Sequence, residues 1–583
     1  MSMRGAVVLV LMLGAAPLPS GAHPGGCQEL QDVSDRQTWA IVLLDQAERT
    51  LREERQPLRF AHGALVLAQI LRETEPERAN RLVRAAAQAL AQVDFETFAE
   101  RLVRLKQRAG FRTPYDVDLL WERVLEHSAA SDAEFLKEAL EGLKADEVWK
   151  ADALARLARS LEDDRKMGEL ITLSLTYGVT RSLVDLLFHL RGKNPPLADA
   201  LFRSAVHRAV ARKDLDGLYW LGAYAIPGVN LPNRLALADP PPPDPRLARF
   251  YLNVLVEQLA HVAFSASRIP AHIYWALMNI HPQAERFAPE LLGRIESLLT
   301  FVTSRLPASA IAYIERREEE RRTLPETKAE DLIIEARTAR DDRTHDALMA
   351  RAAHLLSWRR DFTEALSIAS KIRDRTVRQE MSDLIRCEAV AHFLQEGALE
   401  DAETHALALE NAERSVIAAA RVLEKMKEAE RRTGLLERAQ SRFAQITAED
   451  GKARAALYLA AALLPNDPAQ GEMALIRAID LFNTARLDLN GAIGAGITVE
   501  VQDFAAVCAV GSFDLAPVVI QVFERLARQE PDPSRLTALA SSWTSAEIRA
   551  IAQAALAVTT LHRERRDREE HRKESAQERP TTS

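Results

Sequence analysis

The chain has 583 residues, of which 47% are hydrophobic and 27% charged: a folded, soluble composition, but too long for one ordinary core. Its net charge of −8, spread over 76 basic and 84 acidic residues, offers no concentrated basic face and gives no reason to expect nucleic acid. With only 23 Gly, 26 Pro and 6% aromatics, the chain is dominated by Ala, Leu, Arg and Glu, which are good helix formers.

Residues 1–22 read as a secretory signal peptide. Arg4 supplies the positive start, Ala6 to Leu13 an apolar run, and Ser20-Gly21-Ala22 the small residues that place cleavage before His23. An uncleaved anchor is the alternative. Lipidation of Cys27, which would tether the chain to a membrane, lacks support because Pro24-Gly25-Gly26 has no Leu at the required place. No later segment is long and apolar enough to span a bilayer, so the expected destination is the periplasm or the extracellular space. Cys27, Cys387 and Cys508 are the only cysteines. An array of helix pairs would set the last two roughly 30 Å apart, beyond disulfide reach, so both read as small buried apolar residues.

From 23 to 225 amphipathic spacing predicts antiparallel helices: Gln37 to Arg52, Leu58 to Arg72, Pro76 to Gln92, Phe95 to Gln107, Tyr115 to Glu126, Asp132 to Leu143, Val148 to Leu161, Met167 to Tyr177, Thr180 to Leu190 and Leu197 to Ala211. A proline-rich loop, 226–245, follows; Pro240 to Pro243 cannot be helical. A middle segment, 246–325, returns to helix at Leu247 to Ser265, Ala271 to Ile280 and Pro289 to Ser304, and ends in the charged run Ile314 to Arg322.

Repetition is clearest from 326 to 486. Ala365, Ala369 and Ile372 recur as Ala402, Ala406 and Leu409, then as Ala439, Phe443 and Ile446, and then as Ala474, Ala478 and Leu481. Upstream, Ala336 and Ala339 correspond to Ala369 and Ile372. Downstream, Ala540, Trp543, Ile548 and Arg549 match Ala369, Ile372, Val377 and Arg378. Apolar residues at i, i+4 and i+7 put one face of a first helix inward, and the alanines admit a close neighbour. Asp374, Asn411, Asp450 or Ser545 then caps a second helix. Neither helix buries its face alone, so the units must stack. Glu410 is expected on the solvent side of the helix carrying Ala406.

The period of 35 to 37 resembles tetratricopeptide-like helical repeats. Ala453, Leu457, Ala460 and Pro465 fit that family's second helix, while its first-helix pattern of aromatic, Leu and Gly is missing. The chain is also similar to an exported bacterial type of helical-repeat protein. The resemblance implies an all-α, right-handed α-solenoid of antiparallel helix pairs that binds other macromolecules, and it supplies no active-site residues. A Gly-rich insert, 487–511, breaks the pattern; Ile497, Val499 and Val501 alternate as in a short strand or hairpin near 490–504. A last repeat occupies 512–560, and 561–583 is a charged tail expected to be disordered.

No catalytic or cofactor motif stands out. Gly491, Gly494 and Gly496 lack the order and the Lys-Ser/Thr of a phosphate loop, and read as a connection. Asp341, Asp342 and Asp346 are mis-spaced for a metal motif, and the first two read as helix caps. His354 and His392 fall on second helices of adjacent repeats and do not make a metal site. No metal or cofactor is called for. Tyr219, Trp220, Tyr224, Tyr274 and Trp275 flank the proline-rich loop; core packing is one reading, a hydrophobic groove for a peptide or glycan the other. The leading function is a non-enzymatic, exported scaffold for protein–protein or protein–envelope polymer interaction. The alternative is an all-α cell-wall enzyme such as a superhelical lytic transglycosylase, but the nearest catalytic dipeptide, Glu574-Ser575, lies in the charged tail.

Overall fold

The computed structural model describes residues 36–94, 113–131, 133–161, 163–229, 231–232, 242–266, 269–307, 309–312, 314, 328–490, 496–502, 504–512, 514–530 and 532–577. The signal peptide, Cys27, the helix expected at Phe95 to Gln107, Pro240-Pro241, most of the charged run after Ile314, and Gly491 and Gly494 lie outside the described residues.

Among the described residues the chain is helical nearly throughout, with one small hairpin. Its first half carries α1 (Arg36–Leu51), α2 (Pro57–Leu71), α3 (Pro76–Leu90), α4 (Val117–Ser131), α5 (Ala133–Gly142), α6 (Glu147–Arg159), α7 (Asp164–Tyr177), α8 (Arg181–Lys193), α9 (Pro195–Arg212), α10 (Leu215–Ala225), α11 (Pro245–Ser265), α12 (Ala271–Phe287) and α13 (Leu292–Arg305). Each packs on its neighbour in sequence or on the next but one, as stacked pairs do. Several starts are written locally: Pro sits at the first turn of α2, α3, α9 and α11, and Asp146, Asp163, Asn194, Asp214 and Asp244 cap α6, α7, α9, α10 and α11.

The repeats follow as α14 (Ala329–Thr338), α15 (Asp342–Trp358), α16 (Phe362–Ala369), α17 (Arg375–Glu396), α18 (Leu399–Leu407), α19 (Ala412–Lys425), α20 (Ala429–Phe443), α21 (Glu449–Leu463) and α22 (Pro468–Ala485). The aligned residues are buried as the repeat requires: Ala365, Ala402, Ala406 and Ala439 are all fully inaccessible. Asp374 and Asn411 cap their helices by accepting from Val377 N and Arg414 N. Arg378 donates to Ile372 O at 2.8 Å, and Arg549 to Trp543 O at 3.4 Å, six residues back in each case, as their alignment demands. One device was not expected. Asp346 accepts the backbone N–H groups of Arg373 and Asp374, and Asp383 those of Glu410 and Asn411, stapling each second helix to the next turn at the same spacing.

The second helices α15, α17, α19 and α21 are buried on more than one side, α21 almost completely. Their other side is covered by β1 (Gly496–Val501) and β2 (Phe504–Ala509), an antiparallel hairpin on α15 and α17, and then by α23 (Ala516–Gln529) on α21. Ile497, Val499 and Val501 of β1, opposite Cys508, Ala506 and Phe504 of β2, form the face that meets the helices. The hairpin thus lies somewhat beyond the expected 490–504, because the second strand, FAAVCA, has no polar alternation to announce it.

α24 (Pro533–Ser541) and α25 (Ala546–Gln577) complete the fold, and α25 packs on α23, α24, α1 and α2. The first and last described helices therefore meet within the array. In space the order is α14 to α22, the hairpin with α23 to α25, then α1 to α13.

Four expectations are corrected here. Cys387 and Cys508 are joined in a disulfide with a Cα separation of 6.5 Å. The three-repeat gap between them is closed because β1 and β2 pack on α17, which sets Cys508 beside Cys387. Asp450 does not cap its helix; α21 begins one residue earlier, at Glu449, and Asp450 binds Arg454. Glu410 lies in the turn after α18, exposed, where it accepts from Gln379. In α22 the buried stripe is Leu475, Ala478, Ile479 and Phe482, so Ala474 and Leu481 stand off the predicted face by one position.

Candidate functional site

A buried polar cluster sits where the chain ends meet. It draws on four segments far apart in sequence. In α2, Arg59 and His62 lie one turn apart on one side of an otherwise apolar helix. Tyr115 is set by the turn before α4, where Asp116 accepts from the Thr113 hydroxyl and N–H at 2.8 and 3.1 Å. Asp514 stands just before α23 and accepts from Ala516 N at 2.9 Å; Glu547 is in the first turn of α25.

His62 is fully buried between two carboxylates. Its Nδ1 donates to Glu547 Oε1 at 2.5 Å and its Nε2 to Asp514 Oδ2 at 3.0 Å. The Tyr115 hydroxyl donates to Glu547 Oε2 at 2.9 Å and accepts from Leu489 N at 3.0 Å, while its ring meets that of His62 edge-on. Arg123 reaches Asp514 Oδ2 at 3.0 Å, and Arg59 reaches Asp488 at 2.9 Å. Gly63 permits this approach: a Cβ there would lie 2.6 Å from Leu51 Cδ1 and 3.3 Å from Glu547 Cγ.

Burial by itself would push the His62 imidazole down, but the hydrogen bonds and charges of Asp514 and Glu547 outweigh it and hold the pKa at about 9. Burial would raise Asp514, yet His62 and then Arg123 pull it down to about 2. Burial dominates at Glu547 and lifts it despite His62. Burial and the neighbouring Glu547 raise the Tyr115 phenol well beyond its usual range. The cluster is an imidazolium held by two carboxylates, with Arg123 offsetting the second charge. His62 and Glu547 are sealed from solvent, while Asp514, Arg123, Arg59 and Asp488 at the edge of the cluster are partly exposed; the cluster ties these segments together.

The aromatic residues singled out from the sequence are placed differently from a groove. Tyr219, Tyr224 and Tyr274 are buried, and Trp220 and Trp275 half-buried. Tyr224 stacks on Phe202 at 5.0 Å and donates to Asp199, and Tyr219 meets His272 edge-on. These are core contacts between α8, α9, α10 and α12, so the groove reading is corrected to core packing. Asp341 caps α15 through Thr344 N, as expected; Asp342 instead pairs with Arg373, and Asp346 is the staple described above. His354 contacts Glu388, Trp358 and Phe504, and His392 contacts Phe362 and Phe393. No group of metal-binding side chains occurs among the described residues, and no helix there is long and apolar enough to cross a membrane. Sequence reading missed His62 altogether. Its signal was a single histidine inside the apolar run FAHGALVLAQIL.

Against known proteins, no family model matches the chain, and no curated protein matches it. Among solved structures it is similar to a circular tandem repeat protein with novel repeat topology and enhanced subunit contact surfaces, at 12% identity over 90% of this chain and 98% of that one. The TM-score is 0.13, a likeness too slight to carry an argument. The class of the fold rests on the packing above: an all-α array of paired helices with one small hairpin.

Proposed function

We propose that the protein is an exported helical-repeat scaffold that binds protein partners or an envelope polymer and performs no catalysis. The observation that carries this is the division of the repeat array into a filled face and a free one. The chain's own hairpin and α23 occupy the second helices, while the first helices α16, α18 and α20 leave Thr363, Glu364, Ser367, Thr404, Thr433 and Glu437 exposed on successive units. A row of equivalent surfaces on a rigid array suits recognition of an extended partner. Export is supported by the Cys387–Cys508 disulfide, since such bonds persist in oxidising compartments. The tetratricopeptide-like spacing of Ala453, Leu457, Ala460 and Pro465 supports the same reading.

The test has two arms. Co-purification from the native envelope is expected to bring down a stoichiometric partner that is lost when Thr404 and Glu437 are both changed to Arg. Incubation with purified cell wall is expected to give no soluble products; turnover there would overturn the proposal in favour of a lytic enzyme.

A further inference from the structure

The filled face of the array has one unfinished edge. Among the described residues β1 and β2 form a sheet of two strands, with no third. Gly496 O points away from β2, since it accepts from Arg414 of α19 at 2.8 Å. Outward residues alternate in an antiparallel ladder, so Thr498 and Glu500 turn the same way as Gly496. Their partners Val507 and Ala505 turn their N–H and C=O groups to the opposite edge. Among the described residues nothing bonds to those groups. We propose that this edge of β2 takes an extended segment of a partner protein as a third strand, antiparallel to β2. This rests on the scaffold reading and names the place and chemistry of one contact. The strand FAAVCA carries no charge and no proline, the devices that ordinarily block an edge.

What lies under that position selects the guest. On α15, Gln502 between the strands reaches Thr344, and Phe504 of β2 meets His354 further along the helix. On α19, Arg414 holds the start of β1, and Arg421, further along, holds Val510 just after β2. The helices therefore run across the strands, with β2 nearer their C-terminal ends. Strands lie about 4.8 Å apart, whereas α17 continues from Cys387 to Glu396 for about 13 Å. A third strand thus keeps a helical floor. One turn beyond His354 is Trp358, 70% exposed, and one turn beyond Cys387 is Ala391, half-buried. Ala505 and Val507 carry their side chains on the outer face, so guest residues bonded to them face solvent, and the residues between turn down to Trp358 and Ala391. The partner segment is therefore extended and alternates polar with apolar residues, its main chain supplying the bonds and its apolar side chains the cover. A second copy of this chain does not fit: pairing β2 to β2 about a twofold axis would bring its own α15 and α17 into the space already floored by these.

The probe is a fluorescein-labelled peptide of about eight residues, Thr and Val alternating with a Lys at each end, titrated onto the full chain by anisotropy. It is expected to bind saturably, with the Thr main chain against β2 and the Val side chains over the helices. N-methylation of the Thr amides, whose N–H groups meet β2, should weaken it at least tenfold; N-methylation of the Val amides, which point away, should change little. Val507→Pro removes an outward N–H and leaves the ladder to β1 intact, and should weaken binding at least tenfold. Trp358→Glu, at an exposed position, should also weaken it at least tenfold. Retention of the Cys387–Cys508 disulfide checks that the hairpin persists, and if Val507→Pro opens it, Trp358→Glu and the two methylated peptides decide. Equal loss from both methylation patterns, or no loss in a variant whose disulfide is intact, would overturn the proposal. To separate it from the scaffold reading, a photo-cross-linking residue is placed at Trp358 or at Thr404 in expressing cells. An adduct with another protein at Trp358 supports the edge, and an adduct there within the chain or with a second copy overturns it. Adducts at Thr404 alone sink the edge and leave the scaffold; adducts at neither sink both.

Discussion

Two closures hold distant parts of this chain together, and they use opposite chemistry. At the seam between the chain ends, His62 and Glu547 are 485 residues apart and meet as buried charges. At the hairpin, Cys387 and Cys508 are 121 residues apart and meet in a covalent bond over an apolar face. A buried ion pair depends on protonation and on every partner being present. A disulfide ignores protonation but depends on redox state. The fold is thus guarded at one place by pH and at the other by the oxidising power of the surroundings.

The comparison breaks most sharply at Glu547. Replacing it with Ala leaves a buried imidazolium and the Tyr115 hydroxyl short of a partner, and should cost about 3–5 kcal/mol in thermal or urea unfolding. A thiol reductant should leave that loss unchanged. Cys508→Ala comes next. Opening a loop of this length should cost about 2–4 kcal/mol, and hydrogen exchange should rise in β1, β2 and the facing sides of α15 and α17, while α1 and α2 stay protected. If the loss at Cys508 spread equally to the seam, the two closures would be one cooperative unit.

Protonation should act on the seam and leave the disulfide untouched. His62 is raised to about 9, so its contribution is complete below its ordinary value of about 6.5 and is lost as pH rises through 9. Asp514 is lowered to about 2, so its contribution is complete above about 3.8 and is lost as pH falls through 2. Between about pH 7 and about pH 9.5 the chain should lose about 2 kcal/mol, and a His62→Gln variant should lose much less over that span. A flat profile in the wild-type chain would show that His62 is neutral in the fold.

Where first and second helices of a repeat touch, packing should decide. Ala406→Leu on α18 should overpack the contact and cost about 1–3 kcal/mol, with exchange rising around residues 360–480. Ser367→Ala, exposed on α16, should change stability by about 0.5 kcal/mol or less. Equal small effects at both positions would refute the burial of Ala406.

What could be read from the chain was local. Asp374 and Asn411 were legible as caps because a cap depends on residues three apart. Ala365 and Ala402 were legible as inward residues because a helix repeats its faces every few residues. The phase failed in α22, where Leu475 and Phe482 rather than Ala474 and Leu481 turn inward, because a one-residue rotation leaves the composition of the stripe nearly unchanged. Tyr219 and Tyr224 were readable as core or as groove because aromatic clusters serve both alike, and only burial separates the two.

The sequence by itself determined the helices, their capped starts and the pairwise stacking of the repeats, because each rests on contacts within a few tens of residues. Tertiary structure alone decided that α25 packs on α1 and α2, that the hairpin lies along the second helices with Cys508 beside Cys387, and that His62 sits between two carboxylates. Those outcomes depend on which helix faces find one another once the array curves. A side chain's charge in the interior is then fixed by the carboxylates that arrive from elsewhere, and no spacing along the chain encodes their arrival.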